Sequence, residues 1–218
     1  MPPPYYSKDQ LKVVLPFLDL VEPGWTPKSL LLGGPADGNE AQCARELWPS
    51  VSVLGVEPNR AALDWQLEEG EWPSSARIIH RALSDKDRQL TTVHVHLPSN
   101  ERYLRVSSLD PAVFADFQFV REGVTTATWD SLNNLFGPFD NALLWMDIEG
   151  WEYEACLGAL NLIRNGAIRM INVEMQSLYA AKNERLDYLL RGLRFDPVHD
   201  WNASETCRDR IYVRRAAT

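Results

Sequence analysis

The sequence predicts a doubly wound α/β domain, with a mostly parallel sheet, crossover helices and an antiparallel finish. Three observations predict it. Short apolar runs alternate with stretches of helical periodicity between residues 29 and 80, and again between 142 and 191. Four of the apolar runs stop at a glycine pair or a carboxylate: Gly33-Gly34, Glu57, Asp147 and Glu174. The chain has 218 residues, 45% of them hydrophobic, which is enough for one sizeable core.

The elements follow in order. Residues 7–22 read as a helix capped by Ser7, with Leu11, Val14, Leu15 and Leu18 as its stripe, Pro16 as a kink and Pro23-Gly24 as its stop. Residues 1–28 are thus an N-terminal helical extension, and 29–218 form the main domain. Residues 29–32 are the first strand, followed by the turn-rich GGPADG and a helix over 39–47. A strand over 52–56 ends at Glu57-Pro58; a helix over 61–69 and a strand over 77–80 complete the first alternation. Residues 90–97 alternate as a half-exposed strand, with His94 and His96 on one face. That pair reads as a polar outer face, with metal binding as the alternative. Residues 98–123 show no pattern. A β-branched strand is expected over 124–128 and a short helix over 130–135. The rhythm then returns: a buried strand over 142–146, a helix over 152–164, a strand over 168–173 ending at Glu174, and a helix over 183–191 stopped by Gly192. Two late strands, 195–198 and 211–214, give the antiparallel finish.

Composition excludes several functions. The net charge of −8 argues against electrostatic binding of nucleic acid. Arg208, Arg210, Arg214 and Arg215 cluster late, and read as edge-strand solubility. Three cysteines without a CxxC pair suggest neither zinc nor a disulfide framework, and fit a reducing, cytoplasmic setting. The first residues lack a signal design, and no apolar run approaches the roughly 20 residues of a membrane span.

In an open α/β sheet, ligands bind outside the carboxyl ends of the strands. The glycine loop is neither GxGxxG nor GxxxxGK[ST], so it carries neither the dinucleotide fingerprint nor a P-loop. Glu57 lies at the next strand tip, where an acid accepts hydrogen bonds from ribose hydroxyls. A glycine loop with a ribose acid and no phosphate motif points to a nucleoside ligand, S-adenosylmethionine above all. Asp147 ends a buried strand, and Gly150 lets the chain turn at once into a helix. Glu149 and Glu152 also fit as acids complementing that helix start. Glu174 is the partner carboxylate at the next strand end. His199, beside Asp200 and Trp201 in what reads as a late loop, is a candidate base. Glu149, Trp151 and Trp201 are candidates for the acceptor side, the tryptophans by stacking on a sugar ring or adenine.

These residues also carry a resemblance. Met146-Asp147-Ile148-Glu149-Gly150-Trp151-Glu152 followed by Leu157-Gly158-Ala159, Glu57-Pro58-Asn59, Ala82-Leu83-Ser84-Asp85 and Thr128-Trp129-Asp130-Ser131-Leu132 stand in order, with Ser107-Ser108-Leu109 and Asp209-Arg210-Ile211-Tyr212-Val213. The chain resembles the FkbM-type S-adenosylmethionine-dependent methyltransferases over roughly residues 29 to 214. The resemblance implies a Rossmann-like domain with a seven-stranded sheet, and O-methylation of a sugar or natural-product hydroxyl. It implies cofactor contacts from Gly33, Gly34, Asp37, Gly38, Glu57, Pro58, Asn59, Ala82 and Leu83. Asp147 would accept the hydroxyl proton or, with Glu174, ligate a divalent ion such as Mg²⁺. The acceptor would be a small molecule or a glycan, with no nucleic acid and no membrane involved. The first loop departs from the family pattern: the acid ahead of it is Leu32, and the usual Asn is Ala36. In related enzymes that acid helps hold the methionine ammonium. The alternative reading is therefore an inactive methyltransferase-fold module that recruits a glycan or a protein partner.

Overall fold

The computed structural model describes residues 9–35, 38–68, 72–96, 107–110, 118–201, 204 and 206–215. Seven strands form the main sheet: β1 (Ser29–Gly33), β2 (Ser52–Glu57), β3 (Arg77–His80), β8 (Ala142–Met146), β9 (Ile168–Gln176), β10 (Phe195–Trp201) and β11 (Cys207–Arg214). Their order is β10-β11-β9-β8-β1-β2-β3. From β9 to β3 every pairing is parallel; β11 is antiparallel to both of its neighbours. The antiparallel strand expected at the edge thus lies second from it.

Each sheet face buries a separate apolar layer, because side chains alternate along each strand. Leu31, Leu54, Leu144, Met146, Ile171 and Val173 face α4 (Trp129–Phe136), α5 (Glu152–Leu157), α6 (Leu160–Arg164) and α7 (Ala180–Gly192). Leu30, Leu32, Val53, Leu143, Trp145 and Met170 face α2 (Asn39–Leu47) and the N-terminal segment, whose Leu11, Val14, Val21 and Trp25 are buried among them. α3 (Arg60–Glu68) bridges β2 and β3.

Four departures from the sequence-based expectations have local causes. The first helix is a 3-10 helix over Gln10–Phe17 continued by α1 (Leu18–Val21). Pro16 inside it lacks an N–H and would crowd the carbonyl four residues back, which a tighter winding relieves. The helix expected over 152–164 is two, broken at Gly158-Ala159. A Cβ at Gly158 would lie 2.1 Å from the Ser84 carbonyl oxygen, so this turn is pressed against another backbone. The new helix start of α6 is capped from α4: the Asp130 carboxylate accepts the N–H groups of Asn161 and Leu162, each at 3.1 Å. Asp130→Ala should therefore cost about 1 kcal/mol, read from urea denaturation, as loss of an N-terminal cap does.

The third departure is β9, which continues two residues past Glu174. The fourth is the patternless middle, part of which forms a second sheet of order β4-β7-β5-β6, from β4 (Ala82–Leu83), β5 (Leu90–His96), β6 (Ser107–Ser108) and β7 (Phe119–Ala127). His94 is only 7% exposed there and meets Phe119 edge to face at 5.1 Å, so it does not belong to a polar outer face. The three cysteines are free, and no helix among the described residues is long and apolar enough to cross a membrane.

Candidate functional site

β1, β2 and β8 are neighbours that end level: Gly33 is in register with Val56 and with Met146. Just beyond, Gly34 has φ +72°, and a Cβ on it would lie 2.0 Å from the Asp147 carbonyl oxygen. Only glycine fits a left-handed backbone at so close an approach. The Gly34 N–H donates to the Val56 carbonyl at 3.0 Å, and the Asp147 N–H to the Gly33 carbonyl at 3.1 Å. Gly33 lies beneath, facing Leu83 and Ile148. Gly38 opens α2 and donates its N–H to the Pro35 carbonyl. Above this turn lies a cleft of about 630 Å³, its open mouth included. One side is Gly34, Val56, Glu57, Pro58, Ala82 and Leu83; the other is Ser107, Ser108, Leu109, Asp147, Ile148, Glu149 and Trp151. The mixture of apolar walls and a few polar groups suits a small-molecule site.

Glu57 is 2% exposed. One oxygen accepts the Asn59 N–H at 2.8 Å. Burial pushes its carboxyl up to about 8, against the pull of that N–H and with a further rise from the Asp147 charge. Asn59 does not line the cleft. Its side-chain oxygen accepts from the N–H groups of Ala61 and Ala62 at 3.0 and 3.2 Å, which starts α3 and fixes the Glu57 backbone. The Pro58 carbonyl faces His80 Nε2 at 2.9 Å.

The other end of the cleft is acidic. Glu149 has φ +54° and Gly150 φ +89°, an unusual pair for a chain entering a helix. The turn is braced on every side. The Tyr179 ring occupies the space a Gly150 Cβ would need. Lys182 donates to the Gly150 carbonyl at 3.1 Å and sits 4.1 Å from the Trp151 ring centroid, a cation–π contact. The Ser108 hydroxyl donates to the Glu149 carbonyl at 2.8 Å. Beneath, Glu152 accepts the N–H groups of Ile148 and Gly150 at 3.0 and 3.4 Å, and burial pushes it up to about 8.

Asp147, Glu149 and Glu174 bring oxygens within 4.8 Å of one another. The Gln176 amide nitrogen donates to both Glu149 and Glu174, the latter at 2.8 Å, and the Cys207 thiol donates to Glu174 at 3.0 Å. Burial raises the Glu149 carboxyl, and raises that of Glu174 well above its usual range, with the charges of Asp147 and Glu149 adding to the rise. Burial and Glu174 together push the Cys207 thiol up as well. An all-carboxylate set is what a hard cation takes. Here, however, three of the oxygens already accept hydrogen bonds from Gln176 and Cys207, so the geometry gives Mg²⁺ no support beyond proximity.

Two expected residues are elsewhere. β10 runs on to Trp201, so His199 lies in an edge strand rather than a loop, in register with Ile211 and stacked on Phe17 at 5.1 Å. β11 and β9 separate it from β8. Trp201 donates its indole N–H to Asn172 at 2.9 Å and packs near Trp145, in the layer facing the N-terminal segment. Neither lines the cleft. Asp37 and Ala36 lie outside the described residues. Sequence reasoning missed Gln176, Cys207, Tyr179 and Lys182. Of these only Gln176 had a readable signal: it stands two residues beyond Glu174, on the same face of a strand.

A seven-stranded sheet of this order, with the cleft at the carboxyl ends of its parallel strands, is the fold of S-adenosylmethionine-dependent methyltransferases. Aeropyrum pernix fibrillarin, solved with natively bound S-adenosyl-L-methionine, superposes with TM-score 0.53 at 12% identity, over 94% of this chain and 74% of that one. The Methanococcus jannaschii fibrillarin pre-rRNA processing protein does so with TM-score 0.51 at 8% identity, over 88% and 69%. At such identities the likeness is one of fold alone. Within that class, the chain matches the Methyltransferase FkbM domain over residues 33–197, and it belongs to that family. No curated protein matches it significantly.

Proposed function

We propose that this methyltransferase-fold protein transfers a methyl group from S-adenosylmethionine to a hydroxyl of a sugar or other natural product. The observation that carries the reading is a single cleft with a buried ribose-type acid, Glu57, and a side-chain-free turn at Gly34, facing a carboxylate cluster. These residues fit the cofactor. Glu57 would accept from the ribose hydroxyls, with Pro58 and Asn59 fixing its backbone. Ala82 and Leu83 would give adenine an apolar wall, and the Gly34 turn would allow close approach. Bound there, S-adenosylmethionine supplies an electrophilic methyl group.

The chain's own work is alignment and proton acceptance. Glu149, which lines the cleft and is joined to Glu174 through Gln176, is the carboxyl placed to take the hydroxyl proton. Trp151 would stack on the acceptor. The acceptor is a small molecule or a glycan, and a cytoplasmic setting, supported by the three free cysteines, completes the reading. A second reading has one observation in its favour. Leu32, where related enzymes carry an acid, is 1% exposed within an apolar layer. That suits a module that has kept the fold and recruits a glycan or a protein partner.

Calorimetric titration with S-adenosylhomocysteine separates the two. The wild type is expected to bind, and Glu57→Ala to weaken binding roughly 10–100-fold, as loss of two hydrogen bonds to a largely neutral carboxyl does. A folded wild type that ignores millimolar ligand would decide for the binding module.

A further inference from the structure

We infer that the groove between α7 and β11 binds a neutral oligosaccharide, the part of the acceptor remote from the methylated hydroxyl; for the word acceptor this rests on the function proposed above.

The groove is separate from the cleft and larger, about 1140 Å³ with its open mouth included. One wall is a stripe of α7. Asn183, Asp187, Tyr188 and Arg191 recur there at helical spacing, while Leu186 and Leu190 are buried in the core on the other side of the helix. The other wall is β11, through Arg208 and Arg210. The polar groups are held in place before any ligand arrives. Asp187 accepts from the Tyr212 hydroxyl at 2.9 Å, from Arg191 Nε at 2.6 Å and from Arg210 at 3.4 Å. Asp200 grips Arg210 through two nitrogens, at 2.5 and 2.7 Å. The Asn183 side chain donates to the Gln176 carbonyl at 2.7 Å, which leaves its amide oxygen to accept. Arg191 uses only Nε on Asp187, so among the described residues its two terminal nitrogens remain to donate. Tyr188 is 83% exposed, more than any other large apolar side chain among the described residues.

This chemistry selects among ligands. Each of the three arginines is set against a carboxylate, Arg191 on Asp187, Arg208 on Asp200 and Arg210 on both. Glu184 adds a further acid. The groove therefore has no surplus positive charge to draw a nucleic acid or an anionic lipid. A peptide strand would need an open sheet edge, and β11 is paired on both sides; a helical peptide would need an apolar stripe, and that of α7 is polar. A sugar asks for what is there. Its hydroxyls donate and accept at once, and here carboxylate and amide oxygens stand beside guanidinium N–H groups. Its C–H face stacks on an exposed ring such as Tyr188.

The groove also adjoins the acidic end of the cleft. Ser177 in its wall follows Gln176, whose amide nitrogen holds Glu149 and Glu174. Cys207, in the same wall, donates to Glu174 at 3.0 Å. One chain of hydrogen-bonded side chains, Glu149-Gln176-Glu174-Cys207, thus runs from cleft to groove. An oligosaccharide that presents one hydroxyl to Glu149 can lay its further sugars along α7, where a monosaccharide cannot reach.

The test is an array of neutral and acidic oligosaccharides probed with the full chain, the best ligand then being titrated by calorimetry. The wild type should hold neutral oligosaccharides, and bind the corresponding monosaccharide at least tenfold more weakly. Tyr188→Ala and Arg191→Ala, both at exposed positions, should each weaken the oligosaccharide about tenfold and leave S-adenosylhomocysteine within twofold. Tyr188→Phe keeps the ring and should stay within threefold of the wild type. With S-adenosylmethionine added, mass spectrometry should show a methyl group on a hydroxyl oxygen of the bound glycan and release of S-adenosylhomocysteine, the hydroxyl proton passing to Glu149. The inference is overturned if no arrayed glycan is held, if only acidic ones are held and salt releases them, or if neither alanine variant weakens the oligosaccharide. It is equally overturned if a protein that binds S-adenosylhomocysteine puts no methyl group on the bound glycan. A wild type that holds the oligosaccharide but ignores S-adenosylhomocysteine overturns the methyltransferase reading and leaves the groove assigned; one that binds only the nucleoside overturns the groove alone.

Discussion

Gly34→Ala is expected to destabilise the domain by roughly 3–5 kcal/mol, through left-handed strain of about 1–2 kcal/mol plus loss of packing and hydrogen bonds. The strain follows from φ +72°. The larger part comes from a Cβ placed 2.0 Å from the Asp147 carbonyl oxygen. Both partners are backbone, so relief means parting β1 from β8. That would break the Asp147 N–H bond to Gly33 and strain the Gly34 N–H bond to Val56. Gly24 is the matched control. Its φ is +73°, yet nothing lies within 4 Å of a Cβ built on it. Gly24→Ala should therefore show the strain alone, about 1 kcal/mol. Urea denaturation of the two variants separates the terms. Equal losses would mean that the turn beneath the cleft is not closed as described.

The second large effect concerns pH. Burial raises Glu152 to about 8 in the folded protein, whereas an unfolded chain ionises glutamate near about 4.3. Between those values the native state holds a proton that the unfolded state has lost. Stability from this group is therefore complete below about pH 4.3, and falls as pH rises toward 8, by at most about 1.4 kcal/mol per pH unit. Glutamine keeps an oxygen to accept from Ile148 and Gly150 and carries no charge. Glu152→Gln should match the wild type at pH 5 and exceed it by roughly 2–4 kcal/mol at pH 8, the ideal slope being reduced by dielectric relaxation around the site. Glu57 titrates in the same window, so the wild type and the variant both retain a slope from that group, and the difference between them reports Glu152. The same stability difference at pH 5 and pH 8 would show that Glu152 is ionised throughout.

The sheet was legible where the signal is local. β1, β2 and β8 are apolar runs closed by glycine or an acid, and α2 begins where a glycine turn ends. The second sheet was not legible, because β5 finds β7 some thirty residues away and no local pattern reports such a partner. The break at Gly158 comes from Ser84, distant in sequence, while the helical periodicity runs on through it. In the cleft, Gly34, Glu57 and Asp147 were readable because strand ends gather ligands in this class of fold. His199 and Trp201 were misplaced because the strand read over 195–198 ends, by local pattern, at the polar His199-Asp200 pair, and only pairing with β11 carries it on to Trp201. Tyr179 and Lys182 act on the Glu149-Gly150 turn from an element thirty residues on. Composition and spacing carry no trace of such contacts.

The position of β11 bears on how the protein is made. It follows β10 in the chain, yet it lies inside the sheet, between β10 and β9. In the folded sheet those two strands are not neighbours, so until Cys207–Arg214 has left the ribosome each lacks the native partner for one edge. At roughly 5–20 residues per second that is a brief interval, but it is one in which Glu174 and Gln176 lie on an open strand edge. The acidic wall of the cleft is thus among the last parts of the molecule to be assembled, while the glycine turn and Glu57 rest on strands made long before.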